Sequence, residues 1–147
     1  MLEGIEAAWK WDARCHVWSY MQAKGFSLPP HPLHHRVPNF HGVRATARAL
    51  SRLGLFQEAR SVAVSPENAQ LVIRELVLEQ DKTLYVPHPQ LKEAHVFTQI
   101  HRRDVANVKL KTAVTSTNVH HLGTPMSLKD PFKVRAVTSQ EHATIGV

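Results

Sequence analysis

The chain has 147 residues, 43% of them hydrophobic and 20% charged, with 18 Lys+Arg against 12 Asp+Glu and a formal net charge of +6. That length fits one domain able to bury a core without staples, and the hydrophobic share excludes an intrinsically disordered chain. The single cysteine, Cys15, excludes an internal disulfide, and no apolar run approaches a membrane span. Glu3, Glu6, Lys10 and Asp12 interrupt any secretory leader, so the expectation is a cytoplasmic protein with no membrane partner. Its basic field attracts phosphates.

Residues 2–24 are predicted to form a helix. Leu2, Ile5, Trp9, Ala13 and Tyr20 recur at helical spacing, Trp11, Cys15 and Trp18 make a second stripe, and Gly25 is a natural stop. A helix apolar on two sides is expected to pack between neighbours. Residues 26–41 carry four prolines, which remove donors and favour extended shapes, so an irregular ordered segment is expected, anchored by Leu33, Val37 and Phe40. A second helix is expected over 42–53, with Asn39 as its N-cap, Gly54 beyond its end, and Val43, Ala47, Leu50 and Leu53 as its buried stripe.

A strand at 61–64, a helix opened by Ser65-Pro66 and running to about Glu79, and a strand at 83–86 stopped by Pro87 make a βαβ unit. Such a unit implies parallel pairing and a right-handed crossover. Residues 95–100 read as a further strand and 105–114 as a helix capped by Asp104, with Val105, Val108, Thr112 and Ala113 inward. Residues 120–125 read as a loop, and the pattern weakens from Lys129.

Several residues invite chemistry. Arg44, Arg48 and Arg52, four apart, share one helical flank and are the nucleic-acid candidates, through counterion release at phosphates. No aromatic residues interleave with them for base stacking. His31, His34, His35, His41 and the pair His120-His121 suggest metal binding, but a proline-rich loop without a CxxC partner is a poor tetrahedral site, and no metal ligand is assigned. Cys15 lies on an apolar stripe and reads as a packed residue, since a catalytic cysteine needs a base and an electropositive pocket. No catalytic residue is assigned.

Three segments carry a resemblance: Trp18-Ser19-Tyr20-Met21, His34-His35-Arg36-Val37-Pro38-Asn39-Phe40 and Lys82-Thr83-Leu84-Tyr85-Val86-Pro87. Gly123-Thr124-Pro125 and Asp130-Pro131-Phe132 add to them. Over about Lys10 to Val134 the chain resembles the 5-formyltetrahydrofolate cyclo-ligase-like family, in its methenyltetrahydrofolate synthetase domain branch. The resemblance implies an α/β fold: a three-layer domain of the NagB/RpiA/CoA transferase-like class with a mainly parallel sheet. Here that domain is expected to be partial, over 1–134 and incomplete at its C-terminus, with a divergent tail at 135–147. Cyclo-ligases of this family close 5-formyltetrahydrofolate to 5,10-methenyltetrahydrofolate with ATP and magnesium, and a Lys-x-x-x-Arg pair on their first helix meets the nucleotide phosphates. That pair falls on Lys10 and Arg14, the cofactor-binding candidates, although Glu6, four residues before Lys10, also suits a plain helix salt pair.

The family continues with a buried strand and a glycine-rich loop that binds nucleotide and folate; nothing after Val134 resembles either. The whole chain has 6 glycines, of which the nearest two are Gly42 and Gly54. A phosphate-cradling loop needs clustered glycines so that backbone N–H groups can approach. The expectation is therefore a non-catalytic, truncated form with no cofactor, ATP and magnesium being required only if the family activity is retained. Such a form would leave a sheet edge open and be marginally stable, and a protein partner could complete the sheet. Full-length relatives carry a C-terminal RNA-recognition domain, so RNA is the other implied partner. Two rival readings stand beside this one: a weak ATP- or folate-binding module working through Lys10 and Arg14, and a charge-driven nucleic-acid binder.

Overall fold

The computed structural model describes residues 2–92 and 94–130. The proposed boundary at 134 and the tail 135–147 lie outside the described residues. The chain divides into two compact units, residues 1–43 and 44–147.

The first unit is built on helix α1 (Leu2–Ala23). It ends where the sequence predicts: Gly25 takes a left-handed φ of +66°, and the Phe26 N–H reaches back 2.9 Å to the Met21 carbonyl. This is the Schellman closure, for which a residue without Cβ costs least. The two expected stripes fare differently. Trp18 is buried and its ring meets the exposed Trp11 edge-on at 5.6 Å, Cys15 is half-buried, and Trp9, Ala13 and Tyr20 of the other stripe are exposed, so α1 is not packed on two sides as expected. The proline-rich stretch is closed by a short antiparallel pair, β1 (Ser27–Leu28) with β2 (Asn39–Phe40). Asn39 thus belongs to a strand, and its Oδ1 accepts from the Phe40 N–H instead of capping a helix. Leu33, in the connection between the two strands, is buried, while Val37 is exposed.

Helix α2 (Val43–Ser51) starts at the last residue of the first unit and carries the chain into the second, where α3 (Gly54–Glu58) follows. Gly54 begins the second helix and does not end the first. Strand β3 (Ser61–Ala63) follows, then a 3-10 turn at Asn68–Gln70 that leads into α4 (Leu71–Glu79). The helix begins later than Ser65-Pro66 suggests, because the Gln70 side chain takes the Ser65 N–H at 3.1 Å and holds the chain in a turn. Strand β4 (Thr83–Lys92) then pairs parallel with β3 in the register Ser61↔Thr83, Val62↔Leu84, Ala63↔Tyr85. The βαβ unit is as the spacing predicts.

Beyond it the sheet departs from the expectation of mainly parallel pairing. Strand β5 (His95–Ile100) pairs antiparallel with β4, and β6 (Thr124–Met126) pairs antiparallel with β5. Among the described residues the four-stranded sheet, ordered β3-β4-β5-β6, is mixed. The reason is chain length. Two residues separate β4 from β5, which permits a hairpin but not the dozen-residue crossover that a parallel neighbour needs. Pro87 does not stop β4; the register with β5 shifts between Pro87 and Lys92, and the irregularity absorbs the missing donors.

The predicted helix over 105–114 resolves into a 3-10 turn at Arg102–Val105 and α5 (Leu110–Ala113). Asp104 is not the expected cap: it lies inside the 3-10 turn, whose N-cap is His101, and its carboxylate accepts the His101 N–H at 2.8 Å. The expected loop at 120–125 is instead α6 (Asn118–Leu122) followed by β6. Pro125 is tolerated there because β6 lies at the end of the described strand order.

The core of this unit joins Val62, Val64, Val77, Leu78, Leu84, Val86, Ile100, Val105, Ala113, Val114 and Val119 around Phe56. Lys82 is buried with it. Its Nζ donates to the carbonyls of Gln57 at 3.0 Å and Ala59 at 2.6 Å, which closes the end of α3, and burial pushes its pKa down. One glycine is demanded by space. A Cβ on Gly123 would stand 2.4 Å from Thr98 Cγ2 and 2.7 Å from the Gln99 carbonyl oxygen. Gly123→Ala is expected to destabilise the protein by about 1–3 kcal/mol through overpacking, measured by urea unfolding.

Candidate functional site

Three imidazoles converge where the β4–β5 hairpin meets α6. His88 stands in the irregular stretch of β4, His95 opens β5, and His120 lies on α6, which packs on both strands. The ring centroids of His88 and His95 are 4.0 Å apart, His88 and His120 5.0 Å, and His95 and His120 6.2 Å. One candidate ligand nitrogen from each ring lies within 4.8 Å of the others.

Neighbouring polar groups orient the rings. His88 Nδ1 is 2.7 Å from the Gln90 carbonyl oxygen. The Gln90 backbone N–H also approaches this nitrogen, at 3.2 Å, so one residue grips the ring at its Nδ1 edge with both its acceptor and its donor. Thr98, with no exposed surface, places its Oγ1 2.9 Å from His95 Nε2 and 2.7 Å from His120 Nδ1. A hydroxyl oxygen can accept from both rings at once. His120 Nε2 is sealed from solvent and has no hydrogen-bond partner. Burial, then the charges of His88, His95, His121 and Arg74, push the His120 pKa down.

Beside this cluster lies a buried guanidinium. Arg74 on α4 has no exposed surface. Its Nε donates to the Val114 carbonyl at 2.8 Å, and Nη1 to the carbonyls of Ser65 at 2.5 Å and Glu67 at 2.9 Å, while Nη2 is buried without a partner. Desolvation lowers its pKa to about 10, against the pull of Glu67. At neutral pH it remains a cation.

The residues singled out from sequence fall elsewhere. Lys10 and Arg14 are exposed on α1, the Lys10 ammonium 5.8 Å from the Trp9 ring centroid. Among the described residues no glycine cluster forms a cradle beside them, so they do not by themselves fit a nucleotide triphosphate with its magnesium. Arg44, Arg48 and Arg52 are all exposed, but α2 ends at Ser51, so Arg52 lies beyond the helix that was to align the three. Arg44 approaches Glu75 at 4.0 Å, a pair between an exposed and a half-buried side chain and of small weight. In the proline-rich segment His31 hydrogen-bonds Ser27 at 2.9 Å, and His34 and His35 lie against Trp18 and Trp11. They are occupied as packing groups.

His88, His95 and Arg74 were not singled out, although the sequence held a signal for each. Two histidines seven residues apart across a short strand break face one another once the break is read as a hairpin. Arg74 sits on a helix between Ile73 and Val77, inside an otherwise apolar stripe.

Similarity to known proteins fits the resemblance read from the motifs. A family model described as the 5-formyltetrahydrofolate cyclo-ligase family matches residues 6–144. Curated relatives called methenyltetrahydrofolate synthase domain-containing protein are 38% identical over 129 residues in Bos taurus, covering 87% of this chain and 34% of that protein. The Mus musculus relative is 36% identical over 137 residues, 92% of this chain and 37% of that protein, and the Homo sapiens relative is 33% identical over 120 residues, 81% and 31%. The chain thus spans about a third of the length of the curated relatives it matches. No solved structure matches it significantly.

Two outcomes follow from this geometry. Arg74→Met would orphan the carbonyls of Ser65, Glu67 and Val114, and is expected to cost about 2 kcal/mol or more in urea unfolding. His120, held neutral in the fold, has its folded pKa below the ordinary 6.5. The unfolded chain therefore takes up a proton first as pH falls, so this group's contribution is present above about pH 6.5 and is lost on acidification through that value toward the lower folded pKa. In chelator-containing buffer the melting temperature is expected to drop between pH 7.5 and 5.5, and to drop less in His120→Gln.

Proposed function

The chain belongs to the 5-formyltetrahydrofolate cyclo-ligase family, and we propose that these 147 residues act as a non-catalytic short form related to the methenyltetrahydrofolate synthase domain-containing proteins, one that does not close the folate ring. One observation carries this reading. The pair that the resemblance assigns to nucleotide phosphates, Lys10 and Arg14, stands exposed, and no two glycines in the chain are nearer than Gly42 and Gly54. Two surface cations hold a triphosphate weakly; the strong grip comes from several backbone N–H groups converging on it. The proposal includes the three-layer, NagB/RpiA-like arrangement for the domain, a cytoplasmic setting that suits the free Cys15, and RNA or a sheet-completing protein as the partner.

With 5-formyltetrahydrofolate and Mg-ATP, the purified chain is expected to give no methenyltetrahydrofolate absorbance while showing a thermal melt. Product formation by the folded chain would overturn the reading.

The second reading, a weak nucleotide-binding module, is favoured by the placement of Lys10 and Arg14 one helical turn apart on α1. It expects a calorimetric Mg-ATP signal that disappears in Lys10→Ala/Arg14→Ala, and an unchanged or absent signal removes it. A charge-driven contact of Arg44, Arg48 and Arg52 with RNA would instead show an affinity that falls steeply with salt.

A further inference from the structure

We propose that His88, His95 and His120 form a binding site for a first-row divalent metal ion of the zinc type, with Thr98 as the group that orients two of its ligands. This site is independent of folate or nucleotide chemistry and stands whether or not the chain is catalytic.

The donor set is right for such an ion. Neutral imidazole suits borderline metals such as zinc, and three imidazoles make a three-ligand site that leaves one tetrahedral position for solvent. The spacing is close to what an ion needs. With metal–nitrogen bonds of about 2.0–2.1 Å, tetrahedral ligand nitrogens stand about 3.4 Å apart. Here they lie within 4.8 Å of one another, and the rings are half-buried, so small side-chain rotations close the gap.

Three further observations point to a ligand. First, His120 Nε2 is buried and has no partner, which is the condition of a metal ligand without its metal. Second, the orienting hydrogen bonds that accompany metal-bound histidines are in place. His88 is held at Nδ1 by Gln90 and His120 at Nδ1 by Thr98, and a metal ion would take Nε2 of each. Thr98 Oγ1 also lies 2.9 Å from His95 Nε2, so one buried hydroxyl positions two of the three rings. Third, the cluster comes from three separate elements, β4, β5 and α6, so the tertiary fold preorganises it.

One group works against the site. The buried Arg74 cation is felt at His120 and disfavours a second positive charge there. Among the described residues these three are the group of histidine, cysteine and carboxylate side chains that converges in this way. The histidine-rich segment at 31–35 does not.

The test is a titration of the chelator-treated full chain with cobalt(II), followed by visible absorption, and then with zinc(II) in competition. One saturating equivalent with the strong visible bands of four-coordinate cobalt is expected. His88→Gln and His95→Ala should each weaken binding by more than about ten-fold, and Thr98→Val, which keeps shape but removes the hydroxyl, by roughly ten-fold. His121→Ala and a combined His31→Ala/His34→Ala/His35→Ala change should leave affinity unchanged. Zinc should also raise the melting temperature of the unaltered chain but not of His88→Gln, which keeps the reading clear if a buried substitution fails to fold. Absence of saturable binding to the unaltered chain, equal affinity in His88→Gln, or loss confined to the substitution at 31–35 would each overturn the site.

Discussion

A guanidinium without exposed surface ties the second unit together. Arg74 reaches from α4 to the carbonyls of Ser65 and Glu67 after β3, and to Val114 at the end of α5. Taking an arginine out of water is expensive, and the cost is offset only where oriented acceptors replace the lost hydration. Three carbonyls do so here, drawn from segments that are otherwise irregular. Without them the loop after β3 and the turn after α5 would have fewer reasons to sit where they do. One nitrogen, Nη2, remains without a partner, and an unsatisfied buried donor costs about 1–3 kcal/mol. The packed aliphatic core around Val77, Leu84 and Ile100 supplies the compensation.

The placement of α5 bears directly on the histidine cluster. Helix α6 follows α5 after four residues, and its His120 reaches Thr98 on β5. Gly123, at the end of α6, lets the chain pass against Thr98, Gln99 and Ile100 where a side chain would collide. The close approach and the Thr98 hydroxyl together set the depth at which His120 sits. The hairpin supplies the other two rings, because its irregular register turns His88 toward His95. The site thus rests on a bulge, a glycine and a buried cation, none of which carries ligand chemistry itself.

Family membership and local chemistry illuminate different parts of the chain. The segment Lys82–Pro87, which contributes to the resemblance, has a structural explanation. Lys82 closes α3, Leu84 and Val86 enter the core, and Tyr85 is buried with its hydroxyl accepting from Gln99 at 2.7 Å. His34 and His35 lie against tryptophans. These segments mark the family through packing, whereas Lys10 and Arg14, which would mark its chemistry, are exposed on a helix with no phosphate cradle among the described residues.

Much of the architecture was legible because it depends on local spacing. The long first helix and its stop at Gly25 follow from apolar periodicity and the one residue that enters the left-handed region cheaply. The βαβ unit from Ser61 to Val86 follows from strand, helix and strand in succession. The short elements were not legible: residues 105–114 carry apolar spacing that suits a helix, yet two separate turns satisfy it, since Val105, Ala113 and Val114 need only reach the same core. Sheet direction after β4 depended on a connection of two residues, and reading Pro87 as a stop hid that connection. The amino-acid order by itself determined the family, the helical and βαβ framework and the lack of clustered glycines. Only the tertiary structure decided that His88, His95 and His120 meet and that Arg74 is buried beside them, because such contacts depend on strand pairing and helix packing between residues far apart in the chain, which no local pattern encodes.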